Sequence, residues 1–196
     1  MGNIQYSNST LEEMKRNDFM YNNTIYLDYE LDRDSQIRPC REIRTLCERE
    51  LAKPTNRRKP IKIMISSFGG AAYSLFSIVS LIEYYDEQGL IIETYCEGFT
   101  ASAGSKILMA GTKGHRYISR YGKVLIHQPN GMCYGTYQDM KKQMEDLEDD
   151  FDTVKDMFRK HTKLTENDLR EMSTVNHDII LKPQECIEKG LVDNLL

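Results

Sequence analysis

No stretch of this chain approaches the roughly 20 apolar residues that a membrane-spanning helix needs. Its polar opening, residues 1–10, lacks the apolar centre of a secretory signal. Neither G-x-G-x-x-G nor G-x-x-x-x-G-K-[ST] occurs, which argues against nucleotide binding by this chain. Basic residues are in the minority: 26 Lys and Arg stand against 30 Asp and Glu, a net charge of −4, whereas a nucleic-acid binder would normally show a basic face. The five cysteines, Cys40, Cys47, Cys96, Cys133 and Cys186, are scattered and contain no C-x-x-C. They read as reduced thiols of a cytoplasmic protein, and no Cys/His cluster has the spacing of a zinc site. No cofactor or metal is expected. Low-complexity tracts and solenoid-type repeats are absent from the sequence.

What is present suits one folded unit. A length of 196 residues with 40% hydrophobic content supports one full core and is short for two, so 1–196 reads as a single domain. Residues 1–23, rich in Asn and Ser without sustained periodicity, read as a mobile or partner-dependent arm. Thr24-Ile25-Tyr26-Leu27 is a short strand candidate. Over 34–51, Ile37, Cys40, Ile43, Cys47 and Leu51 recur at three- and four-residue steps, one helix face. A basic loop bounded by Pro54 and Pro60 leads to the strand Ile61-Lys62-Ile63-Met64-Ile65, the turn Ser66-Ser67-Phe68-Gly69-Gly70, and a helix over 71–86. The unit then repeats: a strand over 90–96, a turn over 98–101 and a short apolar helix over 102–110, followed by the buried strand Lys123-Val124-Leu125-Ile126. Strands alternating with helices predict an α/β fold with mostly parallel strands, in which ligands gather at strand ends.

A long helix is expected over 136–161. Met140, Met144, Leu147, Phe151, Val154 and Phe158 form a narrow seam of coiled-coil type, and Glu145, Asp146, Glu148, Asp149 and Asp152 charge the opposite face. A helix of this kind projects and packs on another chain, or else serves as an ordinary core helix. Shorter helices are expected over 165–172, with Thr165 as N-cap, and over 182–189, followed by a last strand at Leu191-Val192-Asp193.

Chemistry concentrates at the strand ends. Ser102, in Gly98-Phe99-Thr100-Ala101-Ser102-Ala103-Gly104-Ser105, follows a strand and opens a helix whose first N–H groups lack partners, a place suited to an oxyanion. A serine there is a nucleophile only with a base at hand. Of His115, His127, His161 and His177, only His127, in Ile126-His127-Gln128-Pro129, ends a buried strand level with the glycine turns. A third group should orient the imidazole. Asp178, before the apolar Ile179-Ile180-Leu181, is favoured; Asp139, Asp168 and Asp193 stay open by spacing alone. The N–H groups of Gly69-Gly70 either simply lead into the helix or face a developing negative oxygen.

Together with Ala110-Gly111-Thr112-Lys113-Gly114-His115-Arg116-Tyr117, His161-Thr162 and Gly190-Leu191-Val192-Asp193, these segments resemble, in order, the ClpP family, the proteolytic subunit of the Clp ATP-dependent protease, over about 24–196. The resemblance implies a ClpP/crotonase-like fold of repeated strand-turn-helix units with a projecting handle at about 130–161. It implies a serine endopeptidase with Ser102 as nucleophile and His127 as general base. Counting back from Gly190 puts the aspartate at Asp178; counting forward from His127 reaches Asn176. The oxyanion donors would be the N–H groups of Gly70 and Ala103. Substrate would lie extended between Gly70-Ala71 and Gln128-Pro129-Asn130. Seven-membered rings would stack in pairs through the handles into a homo-oligomeric tetradecamer, the arm 1–23 would line an axial pore, and an AAA+ unfoldase would feed unfolded polypeptides. Phe68 stands where the family has proline, Phe99 and Thr100 are bulkier or more polar than usual, 84–91 is longer, and His177 occupies the place of an arginine that links ring contacts to the active site. His177 would make assembly pH-dependent. Two further roles fit the same resemblance: a capsid or scaffold maturation protease working without an unfoldase, and a structural ring subunit without activity. Acyl-CoA enzymes of related fold lack the Ser-His-Asp set.

Overall fold

Apolar β-branched runs and amphipathic stretches alternate along the computed structural model, which describes residues 8–32, 37–174 and 178–196. In chain order the elements are α1 (Asn8–Asn22), β1 (Thr24–Leu27), α2 (Ile37–Leu51), β2 (Ile61–Ile65), α3 (Ala72–Glu87), β3 (Ile92–Cys96), β4 (Phe99–Ala101) and α4 (Ala103–Met109). They continue with β5 (Arg116–Ile118), β6 (Lys123–Ile126), α5 (Tyr137–His161), α6 (Glu166–Thr174), β7 (Ile179–Leu181), α7 (Pro183–Glu188) and β8 (Asn194–Leu195). Five strands form a parallel sheet in the order β1-β2-β3-β5-β8. A second sheet, β4-β6-β7, is parallel across its first pair and antiparallel across its second.

The alternation in β2 sets Ile61, Ile63 and Ile65 inside, where they meet Ile25 and Leu27 of β1 and the inner faces of α2 (Ile43, Leu46, Cys47) and α3 (Leu75, Ile78, Val79, Ile82). Each such side chain contributes about 1.5–3 kcal/mol by leaving water. The α/β fold class with mostly parallel strands therefore stands, and no helix is long and apolar enough to cross a membrane among the described residues.

Several local expectations change. Residues 8–22 form a helix rather than an arm: α1 lies on β1, tied by Lys15 to Asp28 at 2.6 Å, by the Tyr26 hydroxyl donating to Asp18 at 2.8 Å, and by Arg49 donating to the Phe19 carbonyl. Residues 99–101, read as a turn, are the strand β4, because each backbone finds a partner on β6 (Phe99 with Lys123, Ala101 with Leu125). The last strand is at 194–195, not 191–193: Leu191 and Val192 plug the core, and only beyond Asp193 does the chain reach the edge of β5. β5 and β7 were not expected at all. Residues 1–7, Asn176 and His177 lie outside the described residues.

The apolar seam of α5 divides along its length. Val154 and Phe158 are core residues, Leu147 and Phe151 are half-buried, and Met140 and Met144 face outward on the described surface. A capping box between Thr136 and Asp139 starts the helix without any core contact.

Candidate active site

Both glycine-rich turns meet at the carboxyl ends of β2 and β4. The N–H of Ala101 donates to the Ser67 carbonyl at 2.9 Å, and the buried Thr100 hydroxyl donates to the Ile65 carbonyl at 3.0 Å. Gly69, at φ 103°, packs so closely that a Cβ there would lie 2.5 Å from Ser102 Cβ and 2.8 Å from the Ala103 nitrogen. Gly70, at φ 139°, leaves no space for a Cβ against the Leu31 carbonyl. Only glycine satisfies both conditions. Leu31 donates to the Gly69 carbonyl at 2.7 Å and accepts from the Ala71 N–H at 2.6 Å, so the N–H of Gly70 between them is turned away from Leu31.

Ser102 is held in a rare backbone conformation, φ 52° and ψ −122°. Such a residue stores on the order of 1–3 kcal/mol of strain and persists only where its surroundings over-determine it. Here they do: its N–H donates to the Leu125 carbonyl at 3.1 Å, β4 is paired with β6, and Gly69 presses from the other side. A sharp, strained strand-to-helix turn is one way to present a nucleophilic hydroxyl. The side chain makes no capping bond to α4, and among the described residues the hydroxyl donates no hydrogen bond to His127.

His127 follows β6. The antiparallel register sets Val124 opposite Leu181, Leu125 opposite Ile180 and Ile126 opposite Ile179, and just beyond the end of this ladder His127 and Asp178 come near one another. Nδ1 of the imidazole lies 3.8 Å from the Asp178 carboxylate, an ion-pair separation rather than a hydrogen bond, and the Asp178 side chain is 59% exposed. Burial holds the His127 pKa below its ordinary value, the Lys106 charge adds to that, and Asp178 opposes both.

Ser102 and His127 line one cleft of about 600 Å³ together with Gly70, Ala71, Ala103, Pro129 and Asn130. Gln128 is not in the lining, and neither is Asp178, which stands behind the imidazole at the end of β7. Asp139 and Asp168 are committed elsewhere, to the caps of α5 and α6, and Asp193 to Arg116. Phe68, 78% exposed, rests on Phe99 with ring centroids 5.3 Å apart, so the two unusual aromatic residues beside the turns form one apolar lip.

Lys106 is the most deeply buried charged residue of the cleft that escaped the sequence reading. It belongs to α4 and is 4% exposed. The signal was a lone lysine within the apolar run 103–110, four residues after Ser102 and so on its side of the helix.

Comparison with known proteins sets these features in a family. The sequence model of the family described as Clp protease matches residues 16–196. ATP-dependent Clp protease proteolytic subunit 1 of Prochlorococcus marinus subsp. pastoris is 34% identical over 142 residues, 70% of this chain and 68% of that protein. Proteolytic subunit 4 of Rhodococcus jostii is 33% identical over 136 residues, 69% and 68% of the two chains. The ATP-dependent Clp protease proteolytic subunit of Deinococcus radiodurans is 29% identical over 141 residues, 72% and 67%.

Proposed function

From the premise that this chain belongs to the Clp protease family and is a ClpP-type serine protease subunit, we propose that Ser102, His127 and Asp178 form its catalytic set. Ser102 Oγ attacks the carbonyl carbon of a peptide bond while Nε2 of His127 takes the hydroxyl proton. The carbonyl oxygen becomes negative and is met by the N–H groups of Gly70 and Ala103. The C–N bond then breaks, the imidazolium returns its proton to the leaving amine, and an acyl-enzyme remains. Water, deprotonated by the same imidazole, releases the acid and restores Ser102. Asp178, facing Nδ1, fixes the tautomer and balances the imidazolium charge.

The observation that carries this reading is the strained Ser102 in one cleft with His127, whose other nitrogen comes near a carboxylate just beyond the β6–β7 ladder. Substrate runs extended past Gly70-Ala71 on one side and Gln128-Pro129-Asn130 on the other, a mode that reads backbone more than side chains. Subunits assemble as stacked seven-membered rings in the cytoplasm. The outward-facing Met140 and Met144 on the free half of α5 supply the apolar contact between rings, and a Clp-type ATPase delivers unfolded chains. The helix α1 (Asn8–Asn22) lies towards the axial opening.

Labelling with a fluorophosphonate probe tests the set. The assembled protein should be labelled at Ser102, and Ser102→Ala should lose both labelling and at least about 10³-fold of peptide hydrolysis. Labelling that survives Ser102→Ala overturns the assignment. The rival reading, a ring subunit without activity, draws on the absent Ser102–His127 hydrogen bond and the 3.8 Å gap to Asp178. It prevails if assembled protein neither cleaves peptides nor takes the probe.

A further inference from the structure

Lys106 is a nearly buried lysine whose amine meets the face of the Phe158 ring and has no counter-charge among the described residues. The residue is 4% exposed, its Nζ lies 5.6 Å from the centroid of the wholly buried Phe158 ring, and among the described residues it has neither a hydrogen-bond acceptor nor a carboxylate within salt-bridge distance. Buried charges are ordinarily paired. Burial alone drives its pKa down to about 7. Glu30, Asp32 and Asp150 also line the cleft, yet none of them props up the amine, and the Asp150 carboxyl is itself raised by burial and by Asp146 and Asp149 without relief from Lys106. The amine therefore lines the cleft without a counter-charge, in company with Glu30, Asp32 and Asp150.

Position relates Lys106 to the reacting bond. Helical side chains lean towards the helix N-terminus and cover the turn before them, so Lys106 lies over the turn that begins at Ser102. It is close enough to His127 for its charge to act on the imidazole. Lys106 and Ser102 line the same cleft one helical turn apart, which puts the amine on the side from which the residue carrying the attacked carbonyl approaches if Ser102 is the nucleophile.

We propose that Lys106 is a specificity-determining residue that receives an acidic side chain, Asp or Glu, at the substrate position immediately before the cleaved bond. The inference rests on the assignment of Ser102 as nucleophile. A carboxylate arriving there supplies the missing counter-charge through a charge-assisted hydrogen bond in a water-poor site. The carboxylate of Asp150, on the same cleft, disfavours an acidic residue beside it, so the preference is for an acid at the Lys106 position.

The test uses assembled full-length protein and fluorogenic peptides identical except for Glu, Gln or Leu before the scissile bond, with fluorophosphonate labelling as a separate measure of Ser102. The expected kcat/KM for Glu exceeds that for Leu by tenfold or more, with Gln between. Lys106→Met should reverse the order, and Lys106→Arg should keep it. The ratio of two substrates on one enzyme cancels the titration of His127. If labelling is intact but wild type prefers Leu and Lys106→Met leaves the ratio unchanged, the proposal is overturned while the nucleophile stands. If Lys106→Met stays assembled but loses labelling, Lys106 acts on the proton of Ser102 and the specificity proposal falls. If wild type is never labelled at Ser102, the catalytic reading fails first and this inference falls with it. The wild-type series decides even where a Lys106 variant does not fold.

Discussion

Arg116 and Lys106 are buried to nearly the same degree, 3% and 4% exposed, yet Arg116 donates four side-chain hydrogen bonds and Lys106 none among the described residues. Arg116 grips both oxygens of Asp193 at 2.8 and 2.6 Å and reaches the carbonyls of Met109 and His161, the ends of α4 and α5. Burial would raise the Asp193 carboxyl, but the Arg116 bonds and charge, with the N–H groups of Gly114 and Arg116, bring it below its ordinary value. That pair explains why Arg116 and the Gly190-Leu191-Val192-Asp193 segment matter to one another: one guanidinium pins the ends of two helices and the final loop. Glu50, also wholly buried, is satisfied in the same manner by Asn23, Lys53 and the Lys59 N–H. Against those two, Lys106 has only the face of the Phe158 ring beside its amine and no carboxylate among the described residues. The contrast separates a charge that holds the fold from one that costs the fold stability and is available to a ligand.

The largest effect in this comparison is expected from Arg116→Met, which strands Asp193 and should lower unfolding free energy by about 3–5 kcal/mol, read by denaturant melting at fixed protein concentration. The opposite sign is expected at the other cation. Lys106→Met should stabilise the protein, by on the order of 3 kcal/mol below pH 7. The pH dependence follows from the depressed pKa. Between the folded value of about 7 and the ordinary 10.5, the unfolded chain carries a proton that the folded chain releases, so wild-type stability rises with pH across that window. The gap between variant and wild type should therefore be full below pH 7 and close by about pH 10.5. A pH-independent gap would mean that Lys106 is solvated after all. The smallest effect concerns His127. Hydrolysis of an uncharged peptide needs the neutral imidazole, so its acid limb should have a midpoint below 6.5. Lys106→Met should move that midpoint up by removing a neighbouring positive charge, and Asp178→Asn should move it further down. A midpoint indifferent to both would place those groups too far from the imidazole to matter.

What could be read before the fold was known, and what could not, has a physical pattern. β1, β2, β6, α2, α3 and α5 have runs long enough for periodicity to declare itself, and Ser102 and His127 stood out because small residues and a buried strand framed them. β4, β5 and β7 have three residues each, too few for a period, and exist because a partner strand is already in place. β4 was mistaken for a turn because glycine and a helix start flank it. α1 has a weak apolar face and is held on β1 by ion pairs and hydrogen bonds that join positions far apart in the chain, such as Lys15–Asp28. The Asp178 assignment by spacing alone was open; the β6–β7 ladder, just beyond its end, is what brings it near His127. Lys106 was hidden because a helix pattern marks what is apolar and says nothing about which polar residue is denied a counter-charge.

The three-residue strand β7 has a consequence for how this enzyme tolerates change. Its carboxylate is delivered by ladder parity: inserting or deleting one residue between α6 and β7 that shifts the ladder one rung would point the acid to the sheet's opposite face, while a shift of two would keep the face and carry it about 6–7 Å along the ribbon. A change of length before Asp178 that leaves the β6–β7 pairing in place keeps the acid beside the imidazole, whereas one residue inserted between Asp178 and Ile179 does not.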